Sequence, residues 1–89
     1  MSELDLAGFI LRSNYRKKVF SFLTEKPTMP SEIEKALTLR FTHITRELRF
    51  LKEKDLIECI NPNERVGRLY RLTSSGEKLK KAMQKEKLL

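Results

Sequence analysis

The stretch Pro30–Thr73, PSEIEKALTLRFTHITRELRFLKEKDLIECINPNERVGRLYRLT, decides the architecture of this 89-residue chain. Its middle is the sharpest test. At about 100° per residue, Phe41, Ile44, Leu48 and Leu51 fall on one stripe, while Thr42, Arg46, Arg49 and Glu53 gather on the opposite side. A helix patterned this way seats its apolar stripe on a small core and shows cations to solvent. Just upstream, Pro30 suits the first turn of a shorter helix, Ser31 and Glu34 have capping-box spacing, and Ile33, Ala36 and Leu37 make a buried stripe. Between the two helices, Thr38-Leu39-Arg40-Phe41-Thr42 has no periodicity of its own and fits a turn, with Thr42 as the N-cap of the longer helix.

Downstream, Leu56–Ile60 is too short and too β-branched for a helix, and Arg68–Thr73 alternates apolar with basic residues. Both are expected to be strands of one hairpin. The loop between them, Asn61–Gly67, is longer than a two-residue turn, and Pro62 and Gly67 set its ends. Arg65, Arg68 and Arg71 lie in or beside it, and guanidinium groups match phosphate oxygens and narrow minor grooves. A short helix, a turn, a helix carrying Arg46 and Arg49, and a hairpin with a basic loop form, in that order, a winged helix-turn-helix. The longer helix, about residues 41–54, would enter a major groove, and the wing, about residues 61–68, would lie on the flanking backbone or minor groove.

Working outward, Ser13 is the expected cap for a helix whose inner side is Tyr15, Val19, Phe22 and Leu23, with Phe20 sharing that core and the helix stopping before Pro27. Ahead of it, Leu4, Leu6, Phe9, Ile10 and Leu11 are too apolar for a free tail and too few for a core of their own, so they imply a short helix that needs a partner surface. After the hairpin, Ser74 and Glu77 have capping-box spacing at the start of a last helix. Its apolar edge is Leu79, Ala82, Met83 and Leu89, and Lys78, Lys80, Lys81, Lys85 and Lys87 stay in water. The expected fold class is therefore mainly α with a small β-hairpin (α+β). The element order is α-α-α-β-β-α with a short extra N-terminal helical segment. Residues 1–11 form that segment, and residues 12–89 form the winged-helix domain including the C-terminal helix.

Three runs, Pro30-Ser31-Glu32-Ile33, then Thr45 through Ile57, then Gly67 through Gly76, resemble the small winged-helix transcriptional regulators of the ArsR and MarR type. The likeness is nearest to the short versions common in archaea and covers roughly residues 12 to 83. It departs at Asp55, where such proteins usually carry the Gly that ends the recognition helix. Asp tolerates a left-handed cap better than most residues, so the helix is still expected to stop there.

Composition sets limits on function. Nineteen Lys and Arg against twelve Asp and Glu give a formal net charge of +7, which favours a polyanionic partner. No window offers the roughly 20 consecutive apolar residues that a bilayer-spanning helix needs, so no membrane is expected and the chain reads as cytoplasmic. The single cysteine, Cys59, cannot form an internal disulfide, and its place beside Ile57 predicts a buried core thiol. With one histidine and one cysteine, the chain lacks the three or four soft ligands of a metal sensor, so no metal is expected. It also has no Gly-rich phosphate loop, no nucleophile motif and no carboxylate cluster. A non-enzyme without cofactors is expected.

The resulting expectation is a sequence-specific double-stranded DNA-binding transcriptional regulator, most often a repressor in such proteins. The alternative is a winged-helix protein-interaction or non-specific nucleic-acid-binding module of a larger assembly. Arg46 and Arg49 are the first candidates for base contact, since a guanidinium pairs bidentately with guanine. Thr42, His43 and Thr45 sit near the start of the same helix and join them. Arg40, Arg65 and Arg68 are the candidates for phosphate or wing contact. Phe50 falls on the polar side of its helix and is expected under the wing or against a partner chain. One small wing domain buries little DNA, and two-fold dimers are the usual readers of pseudo-palindromes. A homodimer built from Leu4, Leu6, Phe9, Ile10, Leu79 and Met83 is therefore expected.

Overall fold

In the computed structural model, which describes residues 2–89, the elements are α1 (Glu3–Leu11), α2 (Asn14–Phe22), α3 (Pro30–Leu37), α4 (Phe41–Glu53), β1 (Ile57–Cys59), β2 (Tyr70–Leu72) and α5 (Ser74–Lys85). The expected order holds, with α1 as the extra N-terminal helix. Four of the five helix starts among the described residues carry a side-chain hydrogen bond at the cap. The Ser2 hydroxyl accepts from the Asp5 amide at 3.2 Å, and the Ser13 hydroxyl accepts from the Arg16 amide at 3.2 Å.

Three expected caps lie elsewhere. α3 opens with Met29 as N-cap and Pro30 at its first position, and the Met29 amide donates to the Glu32 carboxylate at 3.3 Å, so Glu32 rather than Glu34 reaches back. α4 starts at Phe41 with Arg40 as N-cap and no side-chain cap, which puts Thr42 inside the first turn. α5 is capped by Thr73, one residue before Ser74, and its hydroxyl accepts from the Gly76 amide at 3.0 Å. All three differences are shifts of one or two residues, the scale on which cap chemistry outruns apolar periodicity.

The end of α4 follows its expected logic. Asp55 adopts φ 58, and the Leu56 amide closes back on the Leu51 carbonyl at 3.1 Å, a left-handed cap that redirects the chain into β1. Thr38 makes a similar reversal after α3 at φ 54, leaving a tight connection of residues 38–40 before α4. The hairpin is antiparallel, with Ile57 opposite Leu72, Glu58 opposite Arg71 and Cys59 opposite Tyr70. A further antiparallel bridge, on the other edge of β2, comes from the segment before α3. Thr28 exchanges both backbone hydrogen bonds with Tyr70, at 2.8 and 2.9 Å, so the wing is braced on the helix-turn-helix itself. Nothing in the Pro27-Thr28-Met29-Pro30 composition signals a strand, since two prolines flank the bridging residue.

One apolar core joins all the helices and the hairpin: Ile10, Val19, Phe20, Leu23, Ile33, Ile44, Leu48, Leu51, Leu56, Ile57, Leu72, Leu79 and Met83 are buried. Gly76 lets α5 press onto the turn between α4 and β1, because a Cβ there would collide with the Leu56 carbonyl oxygen. Three residues expected inside lie outside: Tyr15 and Phe41, each at the N-terminal end of its stripe, are exposed, and Ala36 faces water. Cys59 is half-buried rather than a core thiol, since β1 pairs on one side only and its sulfur points to the Asn61 side chain at 3.6 Å. Lys80 is not a free surface lysine. Its Nζ donates to the Leu23 carbonyl at 2.5 Å, across the seam between α5 and the end of α2.

Candidate nucleic-acid interface

The outer face of α4 divides into two flanks. Toward the wing lie Phe41, Thr45, Arg49 and Lys52. With Met29, Pro30 and Ser31 from α3 and Arg65 through Arg68 and Tyr70 from the hairpin, they line an open groove of about 680 Å³. Its floor is apolar, formed by Phe41, Leu48 and Tyr70, and its rim is cationic. Among the described residues, Arg49, Lys52 and Arg65 take part in no ion pair, so their charge faces solvent. Such a rim supplies phosphate neutralisation without first breaking an internal contact.

Toward α2 lie His43, Glu47 and Phe50, and this flank is closed. Glu47 is buried, with 1% of its surface exposed, and its carboxylate is shared: Oε1 accepts from Arg16 Nε at 2.9 Å, and Oε2 lies 3.5 Å from Arg46 Nε. Arg16 also donates from Nη1 to the Phe9 carbonyl at 2.6 Å, and its guanidinium sits over the Phe9 ring at 4.0 Å and near the Phe50 ring at 5.2 Å. His43 stacks on Tyr15 with ring centroids 4.3 Å apart and an interplanar angle of 18°, and its Nδ1 is 3.3 Å from Arg46 Nη2. Phe50 thus belongs to this seam with α2 and lies neither under the wing nor in the groove. The expectation placed it by polarity, whereas the Arg16 and Arg49 guanidiniums that flank it give an aromatic ring a partner in a polar setting.

The wing is built on Asn61, a residue sequence reasoning passed over as a loop boundary. Its Oδ1 accepts from the Leu69 amide at 2.7 Å and its Nδ2 donates to the Gly67 carbonyl at 3.0 Å, which closes the base of the loop. Gly67 takes φ 75, a conformation glycine adopts without strain. Arg68 folds back so that Nε donates to the Glu64 carbonyl at 2.6 Å, and Arg71 pairs with Glu58 across the hairpin at 2.8 Å. Arg65 carries the wing's outward charge, and Val66 at the tip is 87% exposed.

The candidate residues therefore separate. Thr45, Arg49, Arg65 and Arg68 share one groove. Thr42 and Arg40 are exposed at the start of α4, while His43 and Arg46 are tethered on the α2 side. Of the residues expected at a dimer contact, Ile10, Leu79 and Met83 are in the chain's own core at 0%, 3% and 2% exposure, which removes them from any surface. Leu6 and Phe9 are half-buried, and only Leu4 stands fully clear. Arg16, Glu47 and Asn61 were given no site role from sequence, and Tyr15 was read only as core. Glu47 alone had a readable signal, since it borders the apolar stripe of α4.

Among the described residues, no three of His, Cys, Asp and Glu come together as a metal site, and no helix is long and apolar enough to cross a membrane. By sequence, no protein family and no curated protein matches the chain. Solved structures define its class as a winged helix of the MarR-like architecture. The transcriptional regulator YodB from B. subtilis, in its reduced form, superposes with a TM-score of 0.79 at 18% identity, covering 98% of this chain and 87% of that one. The reduced form of MarR from E. coli superposes with a TM-score of 0.71 at 26% identity, over 90% and 62% of the two chains. A structure of the multiple antibiotic resistance repressor MarR gives 0.66 at 24%, over 93% and 64%. The chain spans less than two thirds of the length of either MarR structure.

Proposed function

We propose that this chain is a non-enzymatic transcriptional regulator that binds double-stranded DNA sequence-specifically, with α4 in the major groove and the wing on the flanking backbone or minor groove. The observation that carries the reading is the pairing of an exposed arginine face on α4 with a separate cationic wing across one open groove. Thr42, His43, Thr45, Arg46 and Arg49 read bases, and Arg40, Arg65 and Arg68 hold phosphate or minor groove. Repression is the direction in this reading, since one solved neighbour is a repressor by name. The likeness to ArsR-type and short archaeal proteins rests on the sequence motifs. The chain works as a cytoplasmic homodimer in this reading, with Leu4, Leu6 and Phe9 of α1 as the remaining apolar contact.

The test is selection of bound duplexes from a random library, followed by salt titration on the winner. A pseudo-palindromic winner whose affinity falls steeply with salt supports the dimeric regulator. No enriched sequence, with weak binding lost at physiological salt, overturns it. Sedimentation of a monomer at tens of micromolar overturns the homodimer alone. One observation favours the second reading, an interaction module of a larger assembly: Phe41 and Val66 leave apolar surface on the groove side, at 47% and 87% exposure. That module would bind a protein partner with little salt dependence.

A further inference from the structure

Arg16 belongs to α2 and is itself largely buried, yet it touches the support of both arginines on the outer face of α4. Its side chain is 13% exposed, and it holds the buried Glu47 carboxylate through one oxygen while the other oxygen faces Arg46. Its guanidinium also lies 5.2 Å from the Phe50 ring centroid, and the Arg49 guanidinium lies 5.3 Å from the same ring. At the other end, the Phe9 carbonyl and ring fix Arg16 to the last turn of α1. An arginine fork can hold a carboxylate and a carbonyl at once in a fixed plane, which an ammonium cannot do.

We propose that Arg16 is a positioning residue for base reading: through Glu47 and Phe50 it fixes the guanidiniums of Arg46 and Arg49 on the outer face of α4. The proposal rests on the DNA-reading function above. A free arginine on a helix samples many rotamers, and each one immobilised on binding costs affinity. Glu47 can hold Arg46 in place before DNA arrives only while its own carboxylate is held, and Arg16 is what holds it. A base contact depends on direction, whereas a phosphate contact tolerates a swinging cation. Loosening Arg16 should therefore erode sequence preference and leave general DNA affinity in place. Because α1 supplies the other half of the Arg16 seat, anything that lifts α1 acts on the reading face by the same route.

The experiment measures dissociation constants for the selected duplex and a random duplex at one salt concentration. The proteins are the parent chain, Arg16→Lys, Arg46→Ala and the double variant, each checked for folding by urea denaturation. Arg16→Lys is expected to lower the selected-to-random preference by about 5- to 30-fold with random-duplex affinity unchanged, and to shrink the effect of Arg46→Ala. A folded Arg16→Lys variant with full preference, or strictly multiplicative losses in the double variant, overturns the proposal. If Arg16→Lys does not fold, Glu47→Gln takes its place with the same expectations. If the parent chain selects no duplex, the regulator reading fails and the positioning claim is still decided by NMR. The Arg46 Nε–H signal should be ordered in the parent and averaged in the variant, and an Arg46 signal equally mobile in both overturns it.

Discussion

The two flanks of α4 use the same residue type in opposite ways. On the wing side, Arg49, Lys52 and Arg65 carry charge that no carboxylate neutralises and ring a groove that stays open. On the α2 side, Arg16 holds one buried carboxylate and aromatic rings close the space around it, while Arg46 reaches the same carboxylate from the surface. Cations held in water contribute little to folding and remain available to a ligand. A cation neutralised inside the protein contributes to the fold and to geometry. Position relative to α2, rather than residue identity, decides which role an arginine of this chain takes.

Removing the closed side should therefore cost stability, and by the largest amount. Arg16→Met leaves the Glu47 carboxylate buried without its main partner, and breaking a buried pair from one side costs about 3–5 kcal/mol. Urea denaturation measures it, with Lys52→Met on the open flank as the contrast, expected within about 0.5 kcal/mol of the parent. A cost below about 1 kcal/mol for Arg16→Met would mean that Glu47 relaxes to water, and the two flanks would not differ in kind.

The open side should instead show its worth only with DNA present. Arg49→Ala is expected to leave stability within about 0.5 kcal/mol and to weaken the selected duplex by about 1–3 kcal/mol, with relaxed preference at one position. Arg65→Ala on the wing should weaken selected and random duplexes alike and flatten the salt slope by about 1. Equal losses on both duplexes for the two variants would erase the distinction between a reading helix and a holding wing.

This contrast also shows what a sequence can disclose. The winged-helix order was legible because apolar periodicity and turn chemistry are local: the α4 stripe, the Pro30 start and the Asn61–Gly67 loop each announce themselves within a dozen residues. The open flank was legible for the same reason, since exposed arginines on a known helix need only a wheel. The closed flank was not. Arg16 and Glu47 lie 31 residues apart, and no local pattern pairs them. The same holds for the Tyr15–His43 stack, and it explains why Tyr15 was expected inside and Ile10, Leu79 and Met83 at a dimer contact. Amphipathic spacing shows that a residue wants burial. It does not say whether its own chain or a partner provides it.

Asn61 tests the wing at a smaller scale. It satisfies the Leu69 amide and the Gly67 carbonyl at the loop base, so Asn61→Ala should cost about 1–2 kcal/mol. Amide exchange at Leu69 should accelerate more than at Tyr70, whose N–H is held by the Thr28 carbonyl. Uniform exchange across the hairpin would mean that the β1–β2 register and the Thr28 bridge, rather than Asn61, hold the wing.

The smallest effect lies at Lys80, a cation placed between the two regimes. Burial lowers its pKa from the usual 10.5, and the nearby Glu25 charge opposes that shift. The sign follows from linkage: with the folded value depressed, the unfolded chain binds more protons just below 10.5, so stability rises with pH across that window. Other lysines and tyrosines also titrate there, so the useful quantity is the difference in unfolding free energy between the parent and Lys80→Met. That difference should move in favour of the parent as pH rises toward 10.5, by a small amount because the group is largely solvated. A flat difference would place Lys80 with the open cations of the wing side, its bond to the Leu23 carbonyl costing the ammonium no solvation.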